Sequence, residues 1–352
     1  MGIYEQYFVH TKGTYDLKIL LLGSHLNYNL EHYVKMNLEK MGHEVVFYGY
    51  KVKLGKLATP IRMAICRSSS FRRFIQRTIL RKINEEIKRM VKELGPDLVL
   101  SIKGEAVEPK TIEWIESELG TKTALWYPDD PRFFNSLVKY EAPSYDHVFT
   151  ASERAVDMYK EIRVANAHYL PFACEPTVHR KVELSYEERK RYGADVVFVG
   201  TYCLRRAKII GALEKAGIKV KVYGPYWNYF KLGGNVYDGI YGPEMVNAFN
   251  AAKIVLNIHV EDDIPYKVNM RAFEATGCGA FLLTDNTESL GAFFEIGKEI
   301  TIFDDVTELL SLINYYLYNR TERDDIANAG YARCHADHTY EKRLRHMIDF
   351  VK

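Results

Sequence analysis

The sequence is short of the features that mark disulfide-stapled, membrane-spanning or zinc-bound proteins. It has five cysteines in 352 residues: Cys66, Cys174, Cys203, Cys278 and Cys334. No two form a CxxC pair and none stands at zinc-ligand spacing, so this odd, scattered set predicts reduced thiols. Charge of one sign is not in excess. A formal net charge of +2 gives no global reason to expect nucleic acid or an acidic partner, and no nucleic-acid-binding motif is present. No run approaches 18 apolar residues, and no basic-then-apolar leader opens the chain. These absences predict a soluble, cytoplasmic protein.

What is present is ample core material, with 47% hydrophobic and 13% aromatic residues. A chain of this length exceeds one ordinary core, so two domains are expected. The first half alternates short apolar runs with helical patterns. Lys18 to Gly23, Glu44 to Tyr48, Asp97 to Ile102, Thr123 to Tyr127 and His147 to Thr150 read as buried strands, with a helix over about Leu30 to Met41. A turn-rich, hydrophilic passage from Leu170 to Gly193 then interrupts. The rhythm restarts with strands over Asp195 to Gly200, Ile218 to Gly224, Lys253 to Val260, Ala280 to Leu283 and Glu299 to Phe303, before C-terminal helices. The expected fold class is therefore α/β, two Rossmann-like doubly wound domains in series. Ligands of such sheets sit beyond the carboxyl ends of the strands.

One segment departs from this rhythm. Between Lys51 and Lys82 there are ten Lys or Arg and no Asp or Glu, interleaved with apolar residues. A solvated helical excursion (51–91) on the first domain is the simpler explanation. The alternative is an amphipathic surface for an anionic membrane, at its inner face, or for a polyanionic acceptor.

Candidate site residues gather at the strand ends. Gly200 and Thr201 end one strand, with Arg205 and Arg206 in the next turn. A glycine there admits a close ligand, and the following helix start offers N–H groups to an anion. The stretch NMRAFEATGCGAFLLTD, 269–285, places Arg271 and Glu274 one helical turn apart at the sheet rim; a plain salt bridge would also suit that spacing. In the first domain, Asp129 and Asp130 lie between prolines at the end of a strand. They are placed either to cap the next helix or to do acid–base work on hydroxyl groups. Asp-Asp-Pro is not the Asp-x-Asp of metal-dependent sugar transfer, so it is poor evidence for a metal.

The pattern Arg271-x-x-Glu274-Ala275-x-Gly277-x-Gly279-Ala280-Phe281-Leu282-Leu283-Thr284-Asp285 resembles the second-domain signature of two-Rossmann (GT-B) glycosyltransferases. It is more closely similar to the spore-maturation CgeB-like branch. His338-Thr339-Tyr340-x-x-Arg343, Trp126-Tyr127-Pro128-Asp129-Asp130-Pro131 and Leu170-Pro171-Phe172-Ala173 fit the same branch, so the similarity spans about 120–350. It implies an acceptor-side domain at 1–180, a nucleotide-sugar domain at 181–335 and a terminal helix at 336–352 packing back on the first domain, the two domains facing a cleft. It implies sugar transfer from a nucleotide-diphospho-sugar, a UDP-sugar foremost, to a glycan, lipid or protein, with no cofactor or metal. Glu274 would hold the donor ribose hydroxyls. Lys267, Arg271 and the Gly200–Thr201 loop with Arg205 or Arg206 would approach the diphosphate, and Tyr241 would lie by the base. One departure stands out: family 4 members carry a further glutamate eight residues before Glu274, where this chain has Tyr266, with Glu261-Asp262-Asp263 nearby. A sugar-nucleotide epimerase and a catalytically silent donor-fold protein in glycan or coat assembly are the competing readings.

For the acceptor, a base is expected at a strand end of the first domain. His25 and Glu105 are available, as are Asp129 and Asp130. Histidine titrates in the most suitable range. The aspartates carry the resemblance, however, and two adjacent carboxylates raise one another's pKa. Asp129 or Asp130 is thus the expected base, with His25 second.

Overall fold

The protein, described here by a computed structural model, is seen over residues 16–50, 69–227, 235–260 and 267–352. Cys66, the basic segment up to residue 68, Glu261-Asp262-Asp263 and Tyr266 lie outside the described residues. The other four cysteines are free thiols.

Two six-stranded sheets form, each entirely parallel. The first comprises β1 (Lys18–Gly23), β2 (Glu44–Gly49), β3 (Leu98–Ile102), β4 (Lys122–Tyr127), β5 (His147–Thr150) and β6 (Ala167–Tyr169), in the order β2-β1-β3-β4-β5-β6. The second comprises β7 (Ala194–Val199), β8 (Val220–Tyr223), β9 (Val236–Tyr237), β10 (Ala252–Asn257), β11 (Leu282–Asp285) and β12 (Thr301–Phe303), in the order β12-β11-β10-β7-β8-β9. Strands buried on both faces carry continuous apolar runs, and the side chains divide by the two-residue period. In β1, Ile19 and Leu21 enter one core cluster while Leu20 and Leu22 enter another. In β7, Val197 and Val199 join the first cluster, whereas Val196 and Phe198 face a third.

That first cluster is shared by both sheets, so the halves are joined by a common core and the linker between them. Helix α1 (Leu30–Lys40) starts where the Asn29 side chain accepts the His32 N–H at 3.2 Å. It buries Leu30, Tyr33, Val34 and Leu38 along one face, at helical spacing. The C-terminal helix α2 (Tyr340–Val351) lies against it, with the Tyr33 and Tyr340 rings stacked at 5.4 Å. Cys174, in the linker, exchanges backbone hydrogen bonds with this end of the chain, donating to His338 O at 2.8 Å and accepting from Tyr340 N at 3.0 Å.

Two differences from the sequence reading matter. β6 escapes periodicity because three residues give no repeat to read. β11 begins at Leu282 and runs past the expected end at Leu283 to include Thr284 and Asp285, so Asp285 is a buried strand-end residue. Among the described residues, no helix is long and apolar enough to cross a membrane.

Candidate active site

In the second sheet the connections run outward in opposite directions from β7 and β10, which are neighbours. That reversal opens a crevice at their carboxyl ends, the usual ligand position in an open α/β sheet. Helix α3 (Met270–Gly277) begins there, capped by the Asn269 side chain accepting from Ala272 N at 3.3 Å. Arg271 lies in its first turn and reaches across the crevice, donating from Nε to Val199 O, the last residue of β7, at 3.1 Å. Its Nη1 pairs with Glu274 Oε2 at 2.5 Å and also meets Met245 Sδ. The spacing of one turn is thus realised as an ion pair at the switch point of the sheet.

Glu274 is buried, with its side chain 4% exposed. Burial pushes its carboxyl pKa above the ordinary value, against the opposing charge and hydrogen bond of Arg271. On its other side stands His179, a linker residue with no exposed surface, whose Nε2 is 3.8 Å from Glu274 Oε1. Nδ1 of His179 accepts the Glu175 backbone N–H at 2.9 Å, so the ring hydrogen is on Nε2, facing Tyr33 Oη at 3.1 Å. Burial depresses the His179 pKa to about 3, helped by the Arg271 charge, so the ring is neutral. Tyr33, His179 and Glu274 therefore bring α1, the linker and α3 to one point. A Cβ at Gly277 would stand 2.9 Å from Cys174 Cβ and 3.1 Å from His179 Cβ, which is why α3 ends on glycine there.

A second network fixes the strand ends. His259, just past β10, hydrogen-bonds through Nδ1 to Asp285 Oδ1 at 2.6 Å and accepts Asn269 N–H on Nε2 at 3.2 Å. Arg205 Nη1 pairs with Asp285 Oδ2 at 2.5 Å and donates to His259 O at 2.9 Å. Burial would raise the Asp285 pKa, but hydrogen bonding and charge from His259, with the Arg205 charge, outweigh it and hold the carboxylate ionised. Arg206 donates to Ile258 O at 2.8 Å and Thr201 O at 2.9 Å. Both arginines thus tie the helix start after β7 to the chain leaving β10, and Arg205 also reaches the end of β11. Gly200 O accepts Trp227 Nε1 at 2.8 Å, and a Cβ at Gly224 would sit only 1.9 Å from that same oxygen. Thr201 is exposed, and Tyr241, 49% exposed, precedes helix α4 (Gly242–Ala251).

In the first sheet the carboxyl ends of β1, β3 and β4 lie side by side. His25 is half-buried, its Nδ1 2.8 Å from Ser24 Oγ. Asp129 and Asp130, adjacent in sequence, are separated by environment. Asp129 is half-buried and paired with Lys103 at 2.5 Å. Asp130 is fully buried and accepts Tyr159 Oη–H at 2.8 Å. Its pKa is pushed up to about 6, by burial before any other cause, while hydrogen bonds from Tyr159 and Thr150 and the Lys267 charge oppose the rise; Asp129 adds only a lesser repulsion. Lys267, itself buried, bridges the halves by donating to Pro128 O at 3.1 Å.

The sites named from sequence accordingly divide between the strand ends of the two sheets, with Lys267 hydrogen-bonded from the second to Pro128 of the first. Sequence reading missed His179, which has no motif, and His259 and Asp285, whose strand-end positions were the available signal. Among the described residues no group of three His, Cys, Asp or Glu side chains is placed to hold a metal ion.

The fold has known counterparts. A family profile described as "Glycosyl transferase-like" matches residues 205–349. Sucrose-phosphate synthase from Thermosynechococcus elongatus superposes with a TM-score of 0.68 at 13% identity, covering 94% of this chain and 97% of that one. A glycosyltransferase from Rickettsia africae gives 0.64 at 11%, over 95% and 97% of the two chains. Anabaena HepE in complex with UDP-glucose gives 0.64 at 11%, over 95% and 98%. No curated protein matches in sequence. The architecture is that of the two-Rossmann (GT-B) glycosyltransferases.

Proposed function

We propose that the protein is a glycosyltransferase that moves a sugar from a nucleotide-diphospho-sugar, a UDP-sugar foremost, to a hydroxyl-bearing acceptor. The observation that carries this reading is the Arg271–Glu274 pair at the β7/β10 switch point, facing a second sheet whose strand ends carry carboxylates. Similarity to folds such as HepE, seen with UDP-glucose, supports it, and the sequence pattern supports placement in the CgeB-like branch.

In this mechanism Glu274 accepts hydrogen bonds from the ribose hydroxyls, and Arg271 turns from Glu274 toward the diphosphate as the donor enters. The bond from the anomeric carbon to the phosphate oxygen breaks through an oxocarbenium-like state, and negative charge grows on the leaving diphosphate. Arg271, with N–H groups at the start of helix α5 (Leu204–Lys215), stabilises that charge. The Cys203 N-cap of α5 makes no side-chain cap bond, so no cap side chain competes there with an anion. Arg205 and Arg206 hold the strand ends that shape this anion site, and Lys267 holds the donor side to Pro128. The acceptor oxygen attacks the anomeric carbon, and its proton passes to Asp129, the more accessible of the two aspartates. This assigns charge neutralisation to side chains and backbone, so transfer should survive chelation of divalent metals by EDTA.

The test is incubation with a panel of nucleotide sugars. Release of free nucleotide, dependent on Arg271, supports transfer. Isomerisation of the sugar without release points to an epimerase, and no binding of any nucleotide sugar in a thermal-shift assay sinks the proposal.

A further inference from the structure

The second sheet has another concavity at its opposite edge. A cavity of about 650 Å³ opens beside the amino ends of β10 and β11, a strand length, roughly 20 Å, from the donor crevice. Its walls come from the linker, the α4–β10 junction, and the first turn of helix α6 (Arg320–Asp337), which follows helix α7 (Val306–Tyr318). Five of its lining residues are cationic, Lys181, Arg189, Lys253, Arg320 and Arg323, against one carboxylate, Asp324.

Four of these cations are exposed and the fifth is built into the wall. Arg323 is buried, its side chain 9% exposed, and is held by donating to Tyr316 O at 2.9 Å. Its other nitrogen is 3.5 Å from Asp324, which Arg320 also approaches at 3.2 Å. One carboxylate is thus shared by two guanidinium groups. Lys253 pairs with Asp195 at 2.7 Å, and Lys181 is held by Asn328. The Arg189 side chain makes no ion pair or hydrogen bond among the described residues. The lining therefore keeps an excess of positive charge around a concave surface, where the fields of several like charges add toward an anion. Guanidinium groups also match the geometry of phosphoryl oxygens.

We propose that this cavity is a second binding site, separate from the donor crevice, for a soluble ligand carrying two or more phosphoryl charges. The recess has the volume of a small-molecule pocket, and Arg189, Lys253 and Arg320 would share the ligand's oxygens, with Arg323 fixing the floor.

Inorganic pyrophosphate is the probe, titrated calorimetrically into the full chain at low salt. Because the donor crevice also takes a diphosphate, the measurement is repeated on Arg271→Ala. The cavity predicts that Arg271→Ala still binds pyrophosphate, while Arg189→Ala/Arg320→Ala in that background weakens binding tenfold or more. Both cavity arginines are exposed, and unchanged circular dichroism confirms that these variants fold. Raising salt should weaken the interaction. Failure of Arg271→Ala to bind pyrophosphate tighter than about 1 mM, or binding indifferent to the cavity substitutions, overturns the proposal. Neither result bears on sugar transfer at the other edge of the sheet.

Discussion

Tyr33 Oη and His179 Nε2 lie 3.1 Å apart, so a residue of the first half touches the linker residue that stands against Glu274. If His179 sets the position of that carboxylate, its loss should act on donor binding before chemistry. His179→Leu is expected to raise donor KM about tenfold, equivalent to about 1.4 kcal/mol, with a smaller change in kcat. His179→Gln, whose amide restores an N–H toward Tyr33 and Glu274, should recover most of the loss. Equal KM values in all three proteins would reduce His179 to a packing residue.

The Arg271–Glu274 pair gives a test in two readouts. Arg271→Ala leaves a buried carboxylate without its cation, costing on the order of 3 kcal/mol. Adding Glu274→Ala should return much of that stability, as denaturant unfolding would show. Activity should not return with it. Arg271→Ala should lower kcat by about 10²- to 10³-fold, and Glu274→Ala should mainly raise donor KM. Recovery of stability with no effect of either substitution on turnover would make the pair purely structural.

Asp130 predicts an unusual pH dependence. Its folded pKa of about 6 stands above the ordinary 3.8. Between these values the unfolded chain has released the proton that the native protein still holds, so stability falls as pH rises from about 4 to 6. The full effect is at most about 3 kcal/mol. Asp130→Asn removes this titration, so calorimetric unfolding should show the variant gaining on the wild type across that window. Parallel curves would show that Asp130 stays charged in the folded state.

Asp129 is the expected base. Asp129→Asn should cut transfer by about 10²- to 10⁴-fold and leave donor affinity, measured calorimetrically, unchanged. His25→Ala is the comparison. Full transfer by Asp129→Asn with an inactive His25→Ala would move the base to the end of β1.

Gly224 is a steric prediction. A methyl group there would meet the Gly200 carbonyl at 1.9 Å, and backbone cannot yield as a flexible side chain does. Gly224→Ala should destabilise the protein by about 1–3 kcal/mol and weaken nucleotide binding, because the Gly200–Thr201 loop must shift. Unaltered thermal unfolding would show that the loop has room to move.

The sequence by itself determined the layered architecture. Short apolar runs alternating with helical patterns leave a parallel sheet covered on both faces as the economical way to bury them, and ten of the twelve strands among the described residues were legible as such runs, β6 and β9 being too short. It also placed Arg271 and Glu274 one turn apart at the end of a strand, since helical spacing and strand-end position are both local properties. Only the tertiary structure decided which strand ends adjoin. The 2-1-3-4-5-6 order and its counterpart in the second sheet bring β10 beside β7, and with it Arg271 to Val199 and Arg205 to Asp285, contacts across 72 and 80 residues. It also decided that two neighbouring aspartates differ, because burial beside Tyr159 shifts Asp130 while the Lys103 ammonium holds Asp129 at the cleft. Desolvation and long-range pairing depend on what the rest of the chain places around a group, and neither periodicity nor spacing carries that information.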